Sequence, residues 1–364
     1  MTPGSGQPDQ RLHLTLREGH SGIDRDHLRR AIVVSFRMHD RLRDAGEPGP
    51  LGRSTLINTM ELVVATCYFP VDADIRRNGR YVMAQMRTAS KRGADVAHFP
   101  EAALSGYAGT DFKAFRGFNW ELLESTTRQV QALSRQLNLY VILGSTHRLT
   151  GHHKPHDCVY IINSRGMIVD RYDKMFCGGD RNGRLGDLAH YSPGNHFCVF
   201  TLKRIRCGVL ICYEYAFPEL YREYKRRGVQ LVFHSFHAGH AREAQVHRMG
   251  REVGQRFHAL NKGASYPEIR MPGSVQAAST ANFLWVSCSN TSARHSCFPS
   301  FFVRADGIIT GRLKRNRAGV LLSTVNTKQK LYDGTVDWRV RAMDGILHSG
   351  TTVVDRRSDD RTHL

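Results

Sequence analysis

The chain has 364 residues, 41% of them hydrophobic, which is enough to build one large domain or two ordinary ones. Its 52 basic and 33 acidic residues give a formal net charge of +19, which could attract nucleic acid, an anionic membrane or an acidic substrate. The basic residues form only short runs without an RNA- or DNA-reading motif, and no apolar run is long enough to span a membrane. We therefore expect neither a nucleic acid nor a membrane as partner.

Residues 1–59 differ in composition from the rest of the chain. They are rich in Arg, Asp, His and Gly, and prolines and glycines at 48–52 form a turn-like break. One helix is predicted over 26–43, with Leu28, Ile32 and Phe36 on one face. We expect a basic, otherwise loose N-terminal extension, or a start site placed too far upstream, since Met60 directly precedes the first strong strand. The extension carries no signal-peptide core, which favours a cytoplasmic protein.

From position 61 onward, strands and helices alternate. Helical spacing of apolar residues predicts helices at 74–92 and 119–137. Apolar runs predict strands at 62–67, 96–99, 140–144, 159–162, 168–169, 208–212, 229–233, 284–288, 301–304, 308–313 and 320–325. The β-α-β-α opening followed by hairpins predicts an α/β fold in which helices face a mixed sheet. We assign the main domain to 60–330 and a C-terminal tail, a candidate oligomer contact, to 331–364.

The stretch 238–273 interrupts this order. It is rich in Arg, His and Gly and contains Pro267 and Pro272. We predict one helix over 242–260 followed by a loop near the site. A lid and a plain surface insertion are both compatible with this composition.

Eight cysteines and 19 histidines raise the question of metal or redox chemistry. The cysteines form no CxxC pair, and several lie inside apolar runs, which indicates buried, reduced thiols. The histidines cluster at 152–156 and 234–240 without HExxH spacing or an evident supporting carboxylate. We therefore expect no metal site.

Three polar segments follow predicted strands, at the edge where α/β sheets present functional groups. Cys212 ends an apolar strand before a helix, and a thiol at such an elbow feels the helix N-terminus, which lowers its pKa. Glu101 ends another strand and could take the thiol proton. Lys174 follows a hairpin and could stabilise an oxyanion while it stays charged. Each residue alone is more often structural, since a single cysteine in an apolar strand usually belongs to the core.

Together, the three segments resemble the Glu–Lys–Cys signature of the carbon–nitrogen hydrolase (nitrilase-like) superfamily. The matching residues are Phe99, Pro100, Glu101, Gly106 and Tyr107; Tyr172 and Lys174; and Gly208, Ile211, Cys212, Tyr213, Glu214, Phe217, Pro218 and Glu219. Similarity at 191–194, 281–290 and 306–309 extends the resemblance over about 61–326. The resemblance implies a four-layer αββα sandwich with mixed sheets and a pseudo-two-fold halving.

The resemblance also implies catalytic roles. Cys212 attacks the carbon of an amide, carbamoyl or nitrile group, Glu101 transfers protons, and Lys174 binds the oxyanion together with the backbone N–H of Tyr213. We therefore predict a hydrolase that cleaves a small linear amide or N-carbamoyl compound through a cysteine thioester. Tyr213 stands where nitrilases of the superfamily usually carry Trp, which favours an amide over a nitrile. The alternatives are a nitrilase and a non-catalytic binding module on the same fold. The resemblance alone implies a homodimer or larger homo-oligomer, and it implies that no cofactor is required.

Two positions depart from the family pattern. The second glutamate of many members is replaced by Asp187, which is one methylene shorter, with Asp180 as the less favoured substitute. His234 stands where small or Pro-containing sequences are more common, so it either lines the acyl pocket or is an ordinary strand-end histidine. We predict that Asp187, Tyr107 and His234 help to position the substrate.

Overall fold

The computed structural model describes residues 61–261 and 263–363, so the predicted helix at 26–43 and the rest of the extension lie outside the described residues. The described strands are Glu61–Tyr68 (β1), Val96–His98 (β2), Tyr140–His147 (β3), His156–Ile162 (β4), Ile168–Asp173 (β5), Val199–Leu202 (β6), Ile205–Ile211 (β7), Leu231–Ser235 (β8), Trp285–Ser289 (β9), Phe301–Val303 (β10), Ile309–Arg312 (β11) and Gly319–Asn326 (β12). The described α-helices are Ile75–Lys91 (α1), Trp120–Leu137 (α2), Pro218–Arg226 (α3), Glu243–Val253 (α4), Gln255–Asn261 (α5), Tyr266–Asn282 (α6), Arg339–Met343 (α7) and Arg356–Asp359 (α8).

The strands form two six-stranded mixed sheets with the same topology. The first has the order β12-β1-β2-β3-β4-β5 and the second the order β11-β10-β9-β8-β7-β6. In each, three parallel strands lie at the centre, β1-β2-β3 and β7-β8-β9, and the flanking strands are antiparallel. Each strand of the first sheet therefore has a counterpart in the second sheet, as the predicted pseudo-two-fold halving requires. The hairpin strand β6 was not predicted.

The sheets pack face to face and carry helices on their outer faces. Alternate residues of β1 serve the two faces, because successive side chains of a strand point to opposite sides. Leu62 and Val64 join the core between the sheets, whereas Ala65 and Cys67 join the core under α1 and α2. Helices α3 and α6 cover the second sheet. This arrangement confirms the four-layer αββα sandwich.

A buried histidine joins the two sheets next to the candidate site. His98, the last residue of β2, contacts Ser287 Oγ through Nδ1 at 2.8 Å and Ser235 Oγ through Nε2 at 3.0 Å. Burial holds the pKa of His98 well below its usual range, so the ring is neutral. These bonds fix the end of β2 against β8 and β9, three residues before Glu101.

The prediction for 238–273 was wrong in its second half. The predicted helix is present but is broken at Gly254 (φ 84°), and the predicted loop is mostly helix α6. Ser265 caps α6 by accepting a hydrogen bond from Glu268 N, and Pro267 lies in the first turn, where a missing N–H costs nothing. Pro272 lies inside the helix and is buried, although proline has no N–H for a backbone hydrogen bond at that position. Of the helices that the structure describes, none has the length and apolar character needed to traverse a bilayer.

Candidate active site

Cys212 occupies a sharp elbow between β7 and α3. Strand β7 ends at Ile211, a short 3₁₀ helix runs over Cys212–Ala216, and Pro218 begins α3. The backbone of Cys212 has φ 43°, a left-handed conformation that costs free energy in a non-glycine residue. Such strain persists only when the surrounding structure imposes it. The elbow leaves the Cys212 side chain partly exposed at the end of the sheet.

Glu214 imposes the shape of this elbow. Its buried carboxylate accepts hydrogen bonds from Ile211 N at 2.7 Å, Met175 N at 2.8 Å and Phe176 N at 3.2 Å, and from the Tyr172 hydroxyl at 2.8 Å. One side chain therefore ties the last residue of β7 to the segment that follows Lys174. Burial raises the pKa of Glu214 to about 7, although these hydrogen bonds oppose the shift.

We expect Glu214→Gln to lower the free energy of unfolding by about 3 kcal/mol, because an amide offers one acceptor oxygen where the carboxylate offers two. Backbone N–H groups near the elbow then lose their acceptor, and the elbow loses its alignment. Urea denaturation measures the change. The control is Glu219→Gln, at an exposed position of α3, which should change stability by less than about 0.5 kcal/mol. Equal effects of the two substitutions would contradict the role given to Glu214.

Lys174 lies at the centre of a buried charge cluster. Its Nζ atom is 2.7 Å from Glu101 Oε1, 2.7 Å from Asp187 Oδ2 and 3.4 Å from Asp157 Oδ2. Burial alone lowers a lysine pKa, but here the surrounding negative charges, with Glu101 first, raise the pKa of Lys174 well above its usual range. The ammonium is therefore charged at every physiological pH.

Glu101 reaches this cluster from the end of β2. The residue is fully buried, and its backbone N–H donates to Phe236 O at 3.3 Å. The next residue, Ala102, has φ 52°, so the chain turns sharply at this point. Gly144 in β3 makes the turn possible, because a Cβ there would lie 1.9 Å from Pro100 O. The Phe-Pro-Glu motif and a glycine about forty positions later thus form one packed unit.

Asp187 is brought to Lys174 by the loop between β5 and β6. Its Oδ2 atom also accepts from Gly178 N at 2.9 Å, and its Oδ1 atom accepts from the Tyr107 hydroxyl. Burial by itself raises a carboxyl pKa, but Lys174 and these hydrogen bonds hold the pKa of Asp187 below its usual value. Asp180 instead accepts from Arg184 N and Leu185 N, both at 2.7 Å, within its own exposed loop.

The comparisons with known proteins agree with this geometry. The sequence profile described as "Carbon-nitrogen hydrolase" matches residues 54–329. The chain belongs to the carbon-nitrogen hydrolase family.

Relatives of this carbon-nitrogen hydrolase include two kinds of enzyme. It is 29% identical over 150 residues to the omega-amidase of Bos taurus, covering 40% of this chain and 53% of the relative. It is 28% identical over 222 residues to the glutamine-dependent NAD(+) synthetase of Xylella fastidiosa, covering 56% of this chain and 37% of that relative. The match therefore spans about half the length of the omega-amidase and less of the synthetase.

Solved structures share the fold of this carbon-nitrogen hydrolase. A mutant of an amidase of Nesterenkonia AN1 from the nitrilase superfamily superposes with a TM-score of 0.60 at 17% identity, over 80% of this chain and 98% of that one. Another structure of that amidase superposes with a TM-score of 0.59 at 17% identity, over 77% of this chain and 94% of that one. It shows covalent addition of the acetamide moiety of fluoroacetamide at the active site cysteine of that amidase. At 17% sequence identity, these superpositions show that the fold is shared.

The expected lowering of the Cys212 pKa is wrong. Burial, together with the negative charge of Glu101, raises the thiol pKa well above its usual value, and Lys174 and the His237 backbone N–H only partly oppose this. The helix that starts at Cys212 is a five-residue 3₁₀ segment, so its dipole is too weak to overcome the effects of burial and of the Glu101 charge on the thiol pKa. The resting thiol is therefore protonated, and a nucleophilic role for Cys212 would require a neighbouring base.

His234 lies against the backbone of the elbow, and its role in positioning a substrate stays a prediction. It is fully buried in β8, where Nδ1 contacts the Tyr221 hydroxyl at 2.6 Å and Nε2 contacts Cys212 O at 3.2 Å. Both ring nitrogens are thus engaged, so His234 supports the backbone of Cys212. Tyr213, in contrast, is 43% exposed beside the elbow. Its N–H lies in the first turn of the 3₁₀ helix, where backbone donors lack intrahelical partners.

The buried state of His234 predicts a pH dependence of folding. Burial lowers the pKa of His234 to about 3, whereas an unfolded histidine titrates near 6.5. Since the unfolded chain binds the additional proton, the free energy of unfolding should fall as the pH drops below about 6.5. Between pH 7 and pH 5 this contribution amounts to about 2 kcal/mol. Urea denaturation at both pH values should show a smaller pH difference in His234→Gln. The exposed His153→Gln variant should retain the full difference, and equal pH differences in all three proteins would refute the assignment.

Two carboxylates near the site, Asp157 and Asp111, were not predicted from the sequence, and Asp111 contacts two histidines of the 234–240 group. Asp157 belongs to no motif, and only the structure places it against Lys174. Asp111, His237 and His240 form a second cluster, the one set among the described residues whose donor atoms could together hold a metal ion. Both imidazole Nε2 atoms lie 3.0 Å from the Asp111 carboxylate, and His240 Nε2 also lies 2.8 Å from Val71 O, so contacts within the chain hold both rings in place. The His237 ring also stacks on Tyr107. The cluster therefore supports the wall of the site that carries Tyr107.

Proposed function

We propose that this protein hydrolyses the C–N bond of a small linear amide or N-carbamoyl compound through a thioester on Cys212. The observation that carries the proposal is the convergence of a strained cysteine elbow with a buried lysine held by Glu101 and Asp187. A charged, dehydrated donor beside a nucleophile is the arrangement that stabilises an oxyanion. The similarity to an omega-amidase and to the Nesterenkonia amidase supports amide chemistry.

In the first half of the proposed reaction, the Cys212 sulfur attacks the carbonyl carbon while its proton moves to Glu101. The electrons of the carbonyl bond move to its oxygen, and Lys174 and the Tyr213 N–H bind the resulting oxyanion. The oxyanion then collapses, the C–N bond breaks, and Glu101 gives its proton to the leaving nitrogen. Ammonia or an amine departs and the acyl group remains on Cys212.

In the second half, Glu101 takes a proton from water, which attacks the thioester carbon. The second oxyanion is bound by the same two donors, Lys174 and the Tyr213 N–H. Its collapse breaks the C–S bond, and the Cys212 sulfur regains the proton. Asp187 and Tyr107 hold Lys174 in place throughout, since the Tyr107 hydroxyl donates to the carboxylate that contacts Nζ. The homo-oligomer stays a prediction.

A screen for released ammonia or amine tests this function. It should cover short amides, N-carbamoyl amino compounds and short nitriles, with Cys212→Ala as the matched control. We expect release from at least one amide or carbamoyl compound, none above background in the control, and slower release from the corresponding nitrile. Equal release by the control protein would refute the thioester mechanism. Faster release from nitriles than from amides would show that the substrate is a nitrile.

A further inference from the structure

Asp157 approaches the site from the start of a strand. Strand β4 is antiparallel to β5, so the first residues of β4 lie at the same sheet edge as the last residues of β5. The pairing of Cys158 with Asp173 places Asp157 directly beside Lys174, whose backbone N–H donates to Asp157 O at 2.9 Å. The Asp157 side chain is completely buried. Its Oδ2 atom and Glu101 Oε1 lie 3.4 Å and 2.7 Å from the same Lys174 Nζ atom, so the two carboxyl groups are neighbours in the charge cluster.

The cluster holds more carboxyl groups than Lys174 can neutralise. Glu101, Asp157 and Asp187 surround one ammonium group, so full ionisation would leave two uncompensated negative charges in a dehydrated space. Two carboxylates that share such a site cannot both ionise readily. Among the described residues, Glu101 Oε2 and both Asp157 carboxyl oxygens have no hydrogen-bond donor. One proton between the two carboxyl groups supplies the missing donor and removes one of the excess charges.

The surroundings identify which carboxyl groups share this proton. Asp187 has three donors, namely Lys174 Nζ, Gly178 N and the Tyr107 hydroxyl, so it is stable as an anion. Asp157 lies 3.4 Å from Lys174 Nζ, whereas Asp187 lies at 2.7 Å. Burial and the charge of Glu101 raise the pKa of Asp157 well above its usual range. Asp157 and Glu101 are therefore the pair that holds the proton.

We propose that Asp157 and Glu101 share one proton in the resting enzyme, and that Asp157 acts as a positioning residue for Glu101. This inference rests on the proposed function. When the Cys212 sulfur attacks carbon, the thiol proton joins the pair, which then holds two protons and is neutral. Lys174 consequently faces the new oxyanion with only Asp187 as a competing anion. Without the shared proton, a second negative charge would remain beside the oxyanion and weaken its stabilisation.

Infrared spectroscopy can detect this proton without turnover. The parent protein is Cys212→Ala, which removes the thiol, and the measurement is made at pH 8.5, where Glu214, with a pKa of about 7, is ionised. We expect the carbonyl stretch of a protonated carboxylic acid in the parent, its loss on adding Asp157→Asn, and its persistence on adding Asp187→Asn as the matched control. Absence of the band from the parent would overturn the proposal even if the Asp157 variant failed to fold. Persistence of the band in a folded Asp157→Asn protein would also overturn it.

The pH dependence of kcat/KM provides a second test in the protein that retains Cys212. Two interacting carboxyl groups titrate in two steps that belong to the pair, whereas one carboxyl group titrates in one. The pH profile should therefore lose one ionisation in Asp157→Asn, and a profile with the same ionisations in both proteins would count against the shared proton. If no amide or carbamoyl compound is hydrolysed at all, the proposed function fails, while the infrared result still decides where the proton lies.

Discussion

Replacing Cys212 by serine is expected to reduce turnover of the amide found in the screen by about 10⁴-fold or more. The Cys212 thiol is protonated at rest, and a serine hydroxyl is a still weaker acid, so Glu101 cannot remove its proton at a useful rate. Ammonia release under saturating substrate measures the loss. Mass spectrometry of the quenched reaction should also lose the acyl adduct that the Cys212 enzyme forms.

The matched control for this substitution is Cys177→Ser. Cys177 lies three positions after Lys174, and its thiol is partly exposed and feels the charge of the same lysine. We expect Cys177→Ser to keep most of the turnover, because its sulfur does not occupy the elbow. Glu101→Gln should lose nearly as much activity as Cys212→Ser, since it removes the proposed general base. Retention of more than a tenth of the activity in Cys212→Ser would contradict nucleophilic catalysis by this residue.

Lys174→Met should impair both turnover and folding. Loss of one oxyanion donor lowers turnover by about 10²–10³-fold. Loss of the ammonium group also leaves the buried carboxyl groups of Glu101, Asp157 and Asp187 without this partner, which costs about 3–5 kcal/mol of folding free energy. Urea denaturation and ammonia release on the same preparation measure the two effects.

A surface lysine provides the control for Lys174. Lys203 forms an ion pair with Asp95 at 2.6 Å, but its side chain is half exposed. Lys203→Met should therefore cost at most about 1 kcal/mol and leave turnover unchanged. A Lys174→Met protein as stable as Lys203→Met would show that Lys174 is not the charge that balances the cluster. Full activity in that protein would exclude its role with the oxyanion.

The sequence by itself determined the elements that carry the site. Alternating apolar runs located the strands of both sheets apart from β6, and helical spacing located α1 and α2, because these periodicities report directly which face of an element is buried. The ordered motifs around Glu101, Lys174 and Cys212 identified the family, since each motif combines a strand end with a functional side chain. Comparison with the family's second glutamate also selected Asp187, which lies against Lys174 in the structure.

Only the tertiary structure decided how these residues are charged and supported. Asp157 starts an antiparallel strand and carries no motif, so the sheet pairing alone brings it beside Lys174. The pKa of Cys212 depends on burial and on the charge of Glu101, 111 positions earlier in the chain, and these raise it where the local helix suggested the opposite. Helix α6 was missed because Pro267 and Pro272 indicate a loop until the packing surface is known. Local pattern fixes which face of an element is buried, whereas ionisation depends on groups that only the folded chain brings within a few ångströms of one another.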